Sequence, residues 1–137
     1  MLWSHRESVL AAEDHTATSR PSKDSQYRVE KTSAGGVRVY CDEQAIAEYV
    51  IDQGNKPFLW NIIGSSGQVM TRCFPMKTVE GESRDHVHQR GLSFGHQGVN
   101  GFDTWAEAAS YSKSKQREKK LQTIGAIEHR QYHSLTG

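Results

Sequence analysis

Residues 84–105 read Arg-Asp-His-Val-His-Gln-Arg-Gly-Leu-Ser-Phe-Gly-His-Gln-Gly-Val-Asn-Gly-Phe-Asp-Thr-Trp and gather most of the chemistry-bearing side chains of the chain. Asp85, His86, His88, Arg90, His96, Asn100, Asp103 and Trp105 are types that bind metals, move protons or hold polar ligands. An imidazole titrates near neutral pH and serves equally as acid, base or metal ligand. If residues 85–96 run extended, side chains alternate between faces, so His86, His88 and Arg90 fall together opposite Gly91, Ser93 and Gly95. Glycine is costly inside a strand and is kept where a backbone or ligand comes close, so the stretch reads as the wall of a site.

The elements that would hold this wall are short apolar runs separated by turn residues. Residues 27–31 lead through Ala34-Gly35-Gly36 into an alternation of Val37, Val39 and Cys41 with Arg38 and Tyr40, which is a hairpin signal. Asp42-Glu43 makes the next turn, residues 45–51 the next strand and residues 52–57 a loop. The run Phe58-Leu59-Trp60-Asn61-Ile62-Ile63 suits a strand covered on both sides, and residues 69–74 read as another strand, ended by Pro75. Residues 106–120 contain good helix formers without an apolar stripe and read as a long polar loop with a turn or two of helix; residues 121–135 return to β character. Strands at about ten-residue intervals predict an all-β fold, an antiparallel β-sandwich over residues 27–137. Residues 1–26 are polar, lack apolar periodicity and are expected to form a disordered tail.

Composition narrows the function classes. The chain has 137 residues, one domain's worth, with 35% hydrophobic residues and a mean hydropathy of -0.73. A net charge of +1 makes no case for nucleic acid, and the basic run 113–120 reads as a solvated loop. No apolar run approaches the roughly 18 residues needed to cross a bilayer. Val9-Leu10-Ala11-Ala12 is too short for the core of a signal peptide, so the chain as written reads as cytoplasmic, and a different start would make it exported. Cys41 and Cys73 lack metal-ligand spacing and read as thiols in separate strands. Gly91-Leu92-Ser93-Phe94-Gly95 matches Gly-x-Ser-x-Gly, but nothing helical follows to make a nucleophile elbow.

The blocks Lys56-Pro57-Phe58-Leu59-Trp60, Met70-Thr71-Arg72, Pro75-Met76, Asp85-His86-Val87-His88-Gln89-Arg90, Phe94-Gly95-His96, Val99-Asn100-Gly101 and Asp103-Thr104-Trp105 resemble, in order, a bacterial family catalogued as PmoA-like, "methane oxygenase PmoA". Membrane-embedded methane oxidation does not follow from that name, since the chain has no spanning run. The resemblance implies a partial version of the mutarotase-like supersandwich, whose enzymes act on sugars. It also implies a truncated member, ending mid-domain before the strands and the late carboxylate base expected there. Val87, Gln89 and Gly91 depart from the family pattern, where Pro, His and Ser are common, and the loss at Gln89 weakens any metal site of three histidines from that block.

Two chemical readings and a bland one follow. In the first, a sugar or small polar ligand is handled by His86 and His88 as acid and base, while Arg72, Arg90, His96, Asn100 and Asp103 hold its polar groups. Trp105 then offers the ring an apolar face. In the second, His86, His88 and His96, completed by Asp85 or Asp103, coordinate iron, copper or zinc. In the bland reading these residues merely order a long loop. The residues identify no cofactor and no oligomeric state.

Overall fold

The structure is a computed structural model and describes residues 22–134. It is an all-β fold with almost no helix, built on one five-stranded antiparallel sheet in the order β1-β2-β3-β4-β5. The strands are β1 (Tyr27–Lys31), β2 (Val37–Cys41), β3 (Gln44–Val50), β4 (Phe58–Trp60) and β5 (Leu92–Ser93). Of a sandwich's two layers, the described residues form this one sheet, with loops over it. The expected tail 1–26 lies, through residue 21, outside the described residues.

Local chemistry fixes the first three strands. Gly35, at φ +82, lets the chain reverse at the β1–β2 turn, where Thr32 N–H donates to Gly36 C=O at 2.9 Å. Asp42, left-handed at φ +53, makes the tight β2–β3 turn, and its carboxylate accepts from Gln26 N–H at 2.9 Å. A register shift at Val39/Tyr40 marks a bulge in the β2–β3 ladder.

Register then sorts the side chains. Val29, Val39, Ala47, Tyr49, Leu59 and Leu92 fall on one face; Arg38, Glu48, Val50, Phe58 and Trp60 fall on the other. The C-terminal segment crosses the first face. His129 and Tyr132 pack edge-on against Tyr49, and Tyr132 donates its hydroxyl to Gly35 C=O at 2.8 Å. On the second face lies the small core, centred on Phe58 at 1% exposure with Val50 also buried.

Three expected strands shrink or vanish. β4 stops at Trp60, because Asn61 turns left-handed at φ +54. Residues 69–74 form no strand: after the Gly64–Gly67 turn only Val69 bridges Ile63, and Met70 N–H reaches Ile62 C=O at 2.7 Å. Residues 121–134 likewise stay outside the sheet, with Ile124 making a lone parallel bridge to Asp103. The loop 106–120 does hold its expected turns of helix, a 3-10 turn at Ala108–Tyr111 and α1 at Arg117–Leu121.

Candidate functional site

The short loop entering β4 ties the site together. Asn55 sends its amide N–H groups to Ala106 C=O at 2.8 Å and Gly125 C=O at 2.7 Å. Lys56, buried, donates to Trp105 C=O at 2.7 Å and to Asn55 Oδ1 at 3.1 Å. Burial holds its ammonium below the ordinary lysine range, with the nearby Glu107 charge pulling the other way. Two side chains adjacent in sequence thus fix the backbone carbonyls of Trp105 and Ala106.

Asp103 completes the placement of that tryptophan. Its Oδ1 accepts from Trp105 N–H at 2.8 Å and Ala106 N–H at 3.1 Å, and Oδ2 accepts from Tyr111 hydroxyl at 3.4 Å. That hydroxyl is held above its usual range, by burial first and Asp103 second. Glu107 then begins the 3-10 turn, receiving Arg90 Nε at 3.2 Å and Nη2 at 3.1 Å as a fork. Ser110 Oγ accepts from Glu107 N–H at 3.1 Å and lies 3.0 Å from His88 Nδ1. The hydroxyl keeps its proton and a second lone pair for Nδ1, so it anchors that ring nitrogen in either tautomer of His88.

Residues 85–90 are not extended. His86 sits in the left-handed region at φ +45, and Gln89 N–H donates back to His86 C=O at 2.8 Å, closing a turn. The expected alternation of His86, His88 and Arg90 along one strand face is therefore replaced by a turn. It still brings the two imidazoles edge to face, centroids 5.8 Å apart. Arg72 clasps this turn: Nη2 donates to Ser83 C=O at 2.8 Å and Asp85 C=O at 3.1 Å, and Nη1 reaches Gln89 Oε1 at 3.4 Å. Asp85 is held below the ordinary carboxylate range by the Ser83 side chain first and His86 next. Gly91 is required by a close approach, since at φ +57 any β-carbon would run into the Leu59 carbonyl of β4.

These constraints frame an open cavity of about 580 Å³ lined by Arg72, His88, Gln89, Ser93 and Trp105, with Ile62, Met70 and Leu92 as its apolar wall. The His88 and Trp105 rings lie 5.6 Å apart. Burial, then the charges of Lys56 and His86, hold the His88 imidazole below its ordinary value of 6.5, against a weaker pull from Glu107 and Asp103.

Of the residues expected to act on a ligand, Arg72, His88 and Trp105 share this cavity, and His86 flanks it with its Nδ1 2.9 Å from Asp85. His96 lines a separate hollow with Gly95, Gln97 and Trp105, its Nδ1 2.5 Å from Gln97 C=O. Arg90 and Asp103 are engaged by the scaffold, and Asn100, left-handed at φ +50, serves the turn between Val99 and Phe102. Among the described residues no three His, Cys, Asp or Glu side chains are grouped to hold a metal ion, so His86, His88 and His96 do not form the expected triad. Cys41 is buried and Cys73 half-buried, and both are free thiols. The scaffold residues Asn55, Lys56, Glu107 and Ser110 were not among the expected site residues. The Glu-x-x-Ser spacing at Glu107, a reciprocal cap, was the signal available.

Among the described residues no helix is long and apolar enough to cross a membrane. The model of a family of unknown function, DUF6807, matches residues 36–136, and the chain belongs to that family. Nothing in this match supports the PmoA-like resemblance. No curated protein and no solved structure matches the chain.

Proposed function

We propose that this member of the DUF6807 family is a binding module for a saccharide or another small polyhydroxylated ligand, seated in the cavity between Arg72, His88 and Trp105. The observation that carries the reading is the pairing of a half-exposed tryptophan ring with an imidazole whose Nδ1 is anchored on Ser110. A sugar ring presents an apolar face for an indole and hydroxyls for a directional donor, and such sites combine an apolar wall with a few placed polar groups. His88 Nε2, with no hydrogen-bond partner among the described residues, is the ring nitrogen offered to a ligand hydroxyl, which both donates and accepts. Gln89 and Ser93 add further polar groups. Arg72 acts as a positioning residue, because its guanidinium is committed to the 83–89 loop.

The test is titration of the chain with a panel of neutral and acidic mono- and oligosaccharides, followed by indole fluorescence and by the NMR signals of the histidine rings. A ligand of the site shifts the His88 signals and changes the fluorescence of the wild type, and Trp105→Ala abolishes the fluorescence response. Silence of both probes up to about 10 mM sugar, near the weak end of useful affinity, would remove the proposal.

A further inference from the structure

Among the described residues, no strand pairs with the outer edge of the sheet at β1, and that edge is self-complementary. Asp42 N–H donates to Gln26 C=O at one end of the β1–β2 ladder, and Thr32 N–H to Gly36 C=O at the other. In an antiparallel pair the residues exchanging bonds recur every second position, so Arg28 and Glu30 also turn their backbone groups toward β2. Tyr27, Val29 and Lys31 consequently direct theirs outward. Both Tyr27 and Val29 are also exposed large side chains. Open edges are normally blunted by charged side chains, Pro, bulges or a covering loop. The charges on β1, Arg28, Glu30 and Lys31, are of both signs, so they can complement a second copy instead of repelling it. β1 has no Pro, and the register shift lies between β2 and β3 instead.

We propose that β1 pairs with β1 of a second copy, antiparallel about a two-fold axis at Val29, to make one continuous sheet across a weak dimer. In that register Val29 meets Val29 of the second copy, and Tyr27 meets Lys31, as pairs exchanging both backbone bonds through the groups that face outward. Arg28 falls opposite Glu30 of the second copy, and Glu30 opposite its Arg28. Every cross-strand pair is therefore apolar, ring against ammonium, or oppositely charged. Within one chain Arg28 already contacts Glu30 at 2.7 Å and lies 3.5 Å from Glu43, so pairing extends an existing charge cluster. Val29 would also continue the apolar row of Val39 and Ala47 across the axis. One five-residue strand pair buries little area, and such contacts sit at the weak, transient end of interfaces.

Sedimentation of the full chain over a concentration series tests the proposal. The expected result is a reversible monomer–dimer equilibrium that Arg28→Glu and Glu30→Arg each weaken by about tenfold or more, since each sets like charges opposite one another across the axis. An equimolar mixture of the two variants regains the association, because Glu at 28 then faces Arg at 30 and the reverse. A structural role for the pair within one chain would not produce that recovery. A wild type that stays monomeric at millimolar concentration overturns the proposal, as does a dimer untouched by both variants or a mixture that fails to recover. If the edge is instead occupied by another part of the chain or by a different protein, the wild type stays monomeric.

Discussion

The sheet and the loop region beside it are held by different kinds of bond. In β1–β3 the chain satisfies itself through its own backbone, and side chains matter chiefly for which face they take. In residues 51–111 the backbone is satisfied largely by particular side chains: Asn55, Lys56, Asp103, Thr104, Arg72 and Glu82 each bind main-chain groups distant from the sheet ladder. A sheet of the first kind tolerates substitution at most positions. A loop of the second kind depends on individual residues, and most of the candidate site is built on it, with Leu92 and Ser93 of β5 as the sheet's share.

The exception on the sheet side gives the largest expected effect. Phe58 is the one fully buried large side chain among the described residues, and it lies where β4 meets the loops. Phe58→Ala is expected to cost about 3–5 kcal/mol, from lost burial plus the cavity left behind, which is a large part of the stability of a small domain. Denaturant unfolding measures it, and a loss below about 1 kcal/mol would show that the core is centred elsewhere.

Two ion pairs sharpen the contrast. Arg90 and Glu107, at 17% and 6% exposure, form a fork inside the loop region; Arg38 and Glu48, at 45% and 24%, form one across β2 and β3. Glu107→Ala strands the Arg90 charge and removes the cap on Ser110, with an expected cost of about 3 kcal/mol. Arg38→Ala removes a solvent-screened pair from a ladder that closes without it, with an expected cost of about 0–1 kcal/mol. Equal costs for the two would mean that the loop region is no more dependent on its side chains than the sheet.

This contrast also explains what the sequence could tell. The strands at 27–31, 37–41 and 44–50 were legible because alternation and turn residues at 35 and 42 are local signals that the sheet obeys. The extended reading of 85–90 failed because a left-handed His86 and the Arg72 clasp override it, and Arg72 acts from thirteen residues away. Asn55 reaches Gly125 across a separation of 70 residues, which no periodicity records. The composition of the cavity wall, His88 and Trp105 in one short span, was visible. Its support was not, because the residues that orient a site need only a backbone carbonyl to hold and carry no motif of their own.

The smallest expected effect is the most specific to the site. His88 is held neutral by burial and by the nearby positive charges of Lys56 and His86, so its folded midpoint lies below 6.5. Between that midpoint and the ordinary value the unfolded chain binds a proton that the folded chain does not. Stability contributed by His88 therefore rises with pH through this window and is lost as pH falls through it. Histidine NMR is expected to show His88 titrating below the ordinary 6.5, and thermal melts from pH 7 to pH 5 should show the wild type losing more stability than His88→Gln. The pull of Glu107 and Asp103 opposes the shift, so Glu107→Gln should lower the His88 midpoint further. A midpoint that rises in that variant would mean the loop no longer places His88 between those charges, and the dependence of the site on its side-chain scaffold would have to be redrawn.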